Sequence, residues 1–427
     1  MTAQKPVPSG AQPAGGSQNA HASGFNKARI IGLDGARGIA CLAVAVMHIA
    51  VHYSPLTSNA ANINLLGLAL IFFYVLSGFL LFLPYIRALV VERNTAQMPS
   101  TRNFAIHRIA RVFPAYLVIF LICNYAFRAV YLENAAIQPL GGDDGTGMIT
   151  EPLQLFLNLT LLQSYFPQYI QTGISPSWSL TLELAFYASL PVLGWMMFAL
   201  LRRTSLSAYR IALLAPLLLI AMGYISRLFI GPLANHLGLT DPVEMNWGPN
   251  WVAVLLRSYL TSADNFAFGM IVAILVVAME RKVLREAISK RIRLFAWLAL
   301  LPTCALSLLL LALYSVYATS AVALAAAVMI VIIIAPLARS ENSAIANVLE
   351  FRPIRYVGTI SLSIYLWHYP MMIVIGRLGW LEGDTWPGLL RNVAIVMAAT
   401  IVFSALTYRF IEKPPMDFAR RFRYRPS

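Results

Sequence analysis

An arginine, a histidine and two further ionisable groups stand in a stretch otherwise built for lipid. The stretch is Leu33–Tyr53, LDGARGIACLAVAVMHIAVHY, and it carries Asp34, Arg37, His48 and His52. Read as a helix at about 100° per residue, the path from Arg37 to His48 turns through about 1100°, just past three full turns. Both side chains therefore share a face, roughly 16 Å apart along the axis. Asp34 precedes Arg37 by one turn and His52 follows His48 by one, so the four form a single stripe. A guanidinium holds anions, and an imidazole moves protons near neutral pH. Each ionisable group at mid-bilayer costs about 2.5–3.5 kcal/mol, so such a stripe is expected to face a polar cavity. The competing reading is structural, with Asp34 and Arg37 as a headgroup-level ion pair and His48 satisfied between helices.

Other polar islands recur along the chain. NFAIHRIARVFPAYL places Arg108 and Arg111 one turn apart at a helix start. Two guanidiniums on one face make an anion clamp suited to phosphates; the alternative is a topology signal that binds lipid headgroups. FFYVLSGFLLF offers Ser77 and Gly78 for a close helix contact or a polar kink. In SPSWSLTLELAFYASLP, Glu183 and Tyr187 share a face, and Glu183 is a carboxylate inside an apolar span. It requires a partner, and Arg37 or His48 is the expected one. Trp178, in the same segment, fits an interfacial anchor. Asp264, at the outer start of a later span, is a similar buried acid. ISLSIYLWHYPMMI brings Tyr365 and His368 into a span near the C-terminus. Pro370 there predicts a kink whose freed backbone groups line a cavity, with an aromatic packing seam as the alternative. YRFIEKPP, stopped by two prolines, reads as a structural helix end.

These islands need a scaffold. The 427 residues are 59 % hydrophobic and 12 % charged, with mean hydropathy +0.69. That excludes an ordinary soluble domain and predicts an all-α, polytopic transmembrane helix bundle. About ten spans are expected, at 33–53, 65–86, 112–132, 178–200, 209–230, 258–279, 294–315, 318–338, 355–376 and 390–410. The apolar stretch 153–166 is too short to cross and is expected to be re-entrant or interfacial. Segments on the side of the N-terminus hold most of the 32 lysines and arginines. The opposite loops carry acids such as Glu133, Asp143, Asp144, Glu151 and Asp384. This asymmetry predicts that both termini are cytoplasmic. It also accounts for the net charge of +14 as topology signals and lipid-phosphate contacts, not a nucleic-acid footprint. Residues 1–28 are expected to be a disordered cytoplasmic tail without a secretory leader, because residues 1–25 have almost no large apolar side chains. Residues 29–413 are read as the membrane domain and 414–427 as a basic cytoplasmic tail. Cys41, Cys123 and Cys304 lie far apart in apolar runs, so neither a disulfide framework nor a metal site is expected.

In sequence order, these pieces resemble the acyltransferase-3 family of integral membrane O-acyltransferases. The matching pieces are LDGARGIACLAVAVMH, FFYVLSGFLL, HRIARVFPAYL, SWSLTLELAFY, DNFAFGMIVA, SLSIYLWHYP and FIEKP, spread over residues 33–415. Arg37 and His48 match the family's spaced arginine and histidine, and Arg108 and Arg111 match its paired arginines after the second helix. Where other members have two adjacent acids before the Phe-Tyr pair, this chain has Glu183 followed by Leu184. Some members carry an esterase-like domain beyond the last span; the residues after FIEKP are too few for one, and none is expected among them.

The resemblance implies a bacterial plasma-membrane enzyme. It would move an acyl group, often acetyl, from acyl-coenzyme A to a hydroxyl of a sugar, glycan, glycolipid or small molecule. On that reading Arg37, Arg108 and Arg111 hold the coenzyme A phosphates, and the pantetheine arm threads inward. His48 acts as general base, with Asp34 or Glu183 orienting it, and a transient acyl-histidine is an alternative route. Ser77, Trp178, Tyr187, Tyr365 and His368 are the expected substrate-binding residues. The partners are then the bilayer, the acyl donor and a hydroxyl-bearing acceptor, with no permanently bound cofactor. A secondary transporter or lipid-linked-sugar translocase, or a structural envelope subunit, would also accommodate spans with buried charge. Consumption of acyl-coenzyme A separates the first alternative from an enzyme. Loss of abundance without any loss of chemistry on substituting His48 or Arg37 marks the second.

Overall fold

Helices long enough to cross a bilayer follow one another from residue 33 onward. They are α1 Leu33–Tyr53, α2 Ala69–Leu89, α3 Thr101–Leu121, α4 Trp178–Arg203, α5 Ala208–Arg227, α6 Tyr259–Glu280, α7 Glu286–Ala312, α8 Ala318–Ala338, α9 Ser361–Arg377 and α10 Trp386–Thr407. This computed structural model describes residues 25–26, 29–91 and 93–422. Among the described residues, nine helical segments are long and apolar enough to span a membrane. A tenth span is a bent pair, in which the short helix Arg352–Thr359 meets α9 at 76°. The all-α bundle of about ten spans is therefore as expected. Of the expected tail, residues 1–24 and 27–28 lie outside the described residues, whereas Phe25–Asn26 pairs with Arg29–Ile30.

Two boundaries differ from expectation, each for a local reason. The third span begins at Thr101, not near residue 112, because Ser100 caps it by accepting the Asn103 N–H. Arg108 and Arg111 thus lie well inside the helix, deeper than the helix start at which the sequence placed them. The sharp bend near the C-terminus falls at Ile360, between Thr359 and Ser361, while α9 runs unbroken through Pro370. The short apolar stretch before α4 folds back as the helix Pro152–Leu159. Its Asn158 is buried, and Tyr116 Oη of α3 donates to the Asn158 carbonyl at 2.6 Å.

Small residues set how closely the helices pack. A Cβ built on Gly358 would fall 1.7 Å from the Asp34 carbonyl oxygen, and one on Gly38 would fall 2.6 Å from the Ile354 carbonyl. The LDGARG start of α1 therefore lies directly against the backbone of Arg352–Thr359. Likewise a Cβ on Gly78 would meet the Phe266 carbonyl at 2.0 Å, and one on Gly269 the Val75 carbonyl at 1.9 Å. Of the two readings of Ser77-Gly78, a close helix contact or a polar kink, this is the contact, and its partner is α6. Helices α6 and α8 form the buried centre and α7 the rim.

Candidate active site

Asp34, in the first turn of α1, is tied into a charged ring. It accepts Arg29 Nε at 2.8 Å and Arg37 Nη1 at 3.2 Å. Glu350 accepts Arg29 Nη2 and the Gly32 N–H, both at 2.8 Å. Burial pushes the Glu350 carboxyl up, but the Gly32 N–H and the Arg29 guanidinium outweigh it and hold it below its ordinary value. The ring fixes Arg37 at the edge of a cavity.

That cavity has a volume of about 140 Å³ and lies between α1, α2, α3, α4 and α9. Arg37, Arg108 and Arg111 line it together with Ser77, Glu183, Tyr187 and Tyr365. Leu70, Phe73, Leu80, Val112 and Leu362 supply apolar wall. One cavity therefore gathers seven residues singled out from the sequence. Glu183 accepts Tyr187 Oη at 2.5 Å and Ser77 Oγ at 3.3 Å. The partner of Glu183 is thus not Arg37 or His48, the pair expected from the sequence; no hydrogen bond joins it to either among the described residues.

The two arginines of α3 differ sharply. Arg111 pairs with the fully buried Glu412 and also touches Met416 Sδ at 3.2 Å. Glu412 accepts Ser363 Oγ at 2.8 Å as well, so it is committed on both oxygens. Arg108 Nε, by contrast, is buried without a hydrogen-bond partner among the described residues, and its guanidinium lies 5.8 Å from the Tyr187 ring centre. A buried donor left unmatched costs about 1–3 kcal/mol, which an anion in the cavity would recover. Glu412 and the lining residues Tyr74 and Ser179 did not emerge from the sequence. The Glu in FIEKP was the available signal, read there as part of a helix end.

His48 does not line the cavity. Its Nδ1 lies 2.9 Å from Nε2 of the buried His368, with ring centres 5.0 Å apart. His368 Nδ1 faces the Ile364 carbonyl at 3.2 Å. A carbonyl only accepts, so Nδ1 carries a proton, and a neutral His368 then presents Nε2 as acceptor. His48 accordingly donates from Nδ1 and keeps its Nε2 lone pair. Tyr365 joins the two regions: it lines the cavity, its ring centre is 5.7 Å from that of His368, and its hydroxyl meets Ser179 Oγ at 2.7 Å. His52 Nε2 reaches the Gly142 carbonyl at 2.8 Å at the far end of α1. Asp34 therefore supports Arg37 and does not touch His48; the group that orients His48 is His368. Trp178 also stands apart, edge-to-face with Trp247 at 5.9 Å between ring centres and with the Arg257 guanidinium 5.1 Å from its own ring centre. Asp264 is closed in a bidentate pair with Arg227, both contacts 2.9 Å.

Comparison with known proteins supplies the family. A family model described as an acyltransferase domain, acyltransferase-3, matches residues 30–409. The chain is similar to the peptidoglycan O-acetyltransferase OatA of Listeria monocytogenes, at 25 % identity over 91 % of this chain and 56 % of that protein. It is also similar to a putative peptidoglycan O-acetyltransferase, YrhL, of Bacillus subtilis, at 27 % identity over 90 % and 54 %. The O-acetyltransferase OatA of Staphylococcus aureus matches at 24 % identity over 90 % and 56 %. The chain thus spans a little over half the length of these relatives. No solved structure matches. With nine or more candidate spans and a domain match running through almost all of them, this multi-pass membrane protein belongs to the acyltransferase-3 family.

Proposed function

We propose that the protein transfers an acetyl group from acetyl-coenzyme A to a hydroxyl of an envelope glycan, peptidoglycan being the acceptor class that the relatives' names indicate. The observation that carries this reading is the cavity itself. Arg37 and Arg108, whose buried Nε is unmatched among the described residues, line it together with Tyr365, neighbour of the His368–His48 pair. A volume of about 140 Å³ suits the slender thioester arm of the donor and not its nucleotide, which would lie outside against the arginines. The face that carries the starts of α1 and α3 is then cytoplasmic, in keeping with its Lys and Arg content, and both termini lie there. Residues 29–413 act as the catalytic membrane unit.

In the reaction, His48 Nε2 takes the proton of the acceptor hydroxyl while that oxygen attacks the thioester carbonyl. The C–S bond breaks, the sulfur leaves as thiolate, and the imidazolium returns the proton to give the free thiol and the ester. His368 holds the His48 tautomer that this requires. Asp34 positions Arg37, and Glu183, fixed by Ser77 and Tyr187, gives the cavity a counter-charge to its arginines. Purified protein in proteoliposomes, given acetyl-coenzyme A with and without envelope glycan, tests the reading. Protein-dependent release of free thiol, raised by the glycan, is expected. No release with any acyl-coenzyme A and glycan would refute it.

A further inference from the structure

Along the sixth span, Trp251–Glu280, the helix is interrupted at Arg257-Ser258, and the arginine there meets no carboxylate among the described residues. The helix Trp251–Leu256 ends, and α6 starts at Tyr259, with Thr261 Oγ1 donating to the Leu255 carbonyl at 2.8 Å across the gap. Arg257 lies between. Its guanidinium is 3.3 Å from the Trp247 ring centre and 5.1 Å from that of Trp178. Its Nε is buried without a hydrogen bond, and no ion pair reaches it among the described residues. The fold treats Arg227, a fully buried arginine of a span, quite differently. Arg227 has both Asp264 oxygens at 2.9 Å and Ser320 Oγ at 2.7 Å. A guanidinium inside a span is costly unless it is matched, and here the match is missing.

The surroundings fit a sugar. Trp247 belongs to the short helix Pro242–Trp247 and is tethered by Asn134 Nδ2, which donates to its carbonyl at 2.7 Å. Trp178 precedes Ser179, which lines the cavity and bonds Tyr365. The two indoles and Arg257 thus sit beside the cavity wall, toward the end of the bundle where His52 meets Gly142. We propose that Arg257, Trp247 and Trp178 form the subsite that holds an acidic saccharide acceptor. The guanidinium, stacked on Trp247, takes the carboxylate through paired N–H donors, and the indole surface it leaves uncovered packs on the C–H face of the ring. As an acceptor subsite this rests on the acyl-transfer reading; as a binding site it does not.

The test follows tryptophan fluorescence of the full chain in nanodiscs, titrated with N-acetylmuramic acid and with N-acetylglucosamine, which lacks the carboxylate. Saturable binding of the acid, about tenfold tighter than the neutral sugar, is expected. Arg257→Gln should abolish that preference, Arg257→Lys should keep part of it, and Trp247→Phe should weaken both sugars. Thiol release without acceptor should stay at the wild-type level in all three, so loss of release in wild type would indict acyl transfer and not this site. Equal binding of both sugars by wild type, or an unchanged preference in Arg257→Gln, would make Arg257 a stacking strut only. If Arg257→Gln does not fold, the wild-type comparison and Arg257→Lys still decide.

Discussion

His48 Nδ1 and His368 Nε2 meet at 2.9 Å, across helices that are hundreds of residues apart in the chain. The contact leaves one nitrogen of His48 free and fixes which one it is. Replacing His368 with Gln should therefore lower kcat by about ten- to a hundredfold while KM for the acyl donor stays near its wild-type value. Steady-state kinetics check this; a change in KM alone would place His368 in donor binding.

Arg108 and Arg111 share a helix face but should fail in different ways. Arg108 has no bonded partner at Nε, so Arg108→Gln should raise KM for acyl-coenzyme A about tenfold or more and leave the unfolding temperature unchanged. Arg111→Ala strands the buried Glu412 and should cost about 2–3 kcal/mol, below the usual figure for a broken buried pair because Arg111 is 23 % exposed. Thermal unfolding in detergent and donor titrations separate the two.

Backbone contact at α1 leaves no room for a side chain. Gly358→Val should cost about 3 kcal/mol or more, since even its Cβ would overlap the Asp34 carbonyl. Gly231, with nothing within 4 Å of a built Cβ, should accept Ala with a change within about 0.5 kcal/mol. Unfolding midpoints of the two variants check the contrast.

Glu350 makes the charged ring pH-dependent. Its folded pKa lies below the ordinary 4.5, so its stabilisation is complete above that value and is lost as pH falls through the lower folded one. Glu350→Gln should remove that acid-side loss and lower the midpoint at neutral pH. Unfolding followed from pH 7 to pH 3 in both proteins tests the sign.

What the sequence could reveal followed from local spacing. Helical period alone put Arg37 and His48 on one face, and Ser77-Gly78 allowed a close helix contact or a kink without naming the partner, which is α6. Partners distant in the chain were not readable in this way. Glu183 turned to Ser77 and Tyr187, and His48 to His368, because those choices depend on which helices adjoin. Glu412 was hidden for another reason. A π-helical turn over Tyr408–Glu412 ends the last span, and its fully buried Glu412 is bonded to Arg111 and Ser363. The helix end stopped by two prolines that the sequence suggested is not there: the chain passes through the π turn into the helix Lys413–Ala419, whose first turn holds both prolines, and nothing in YRFIEKPP hinted at that inward carboxylate.

The role of His48 as the base in acyl transfer is open to direct test. Wild type and His48→Ala, reconstituted at equal folded yield, should be compared for thiol release from acetyl-coenzyme A and for acetyl ester formed on envelope glycan. Wild type should give both products, and the variant should lose about a hundredfold or more of each. Equal rates from the two proteins would contradict it.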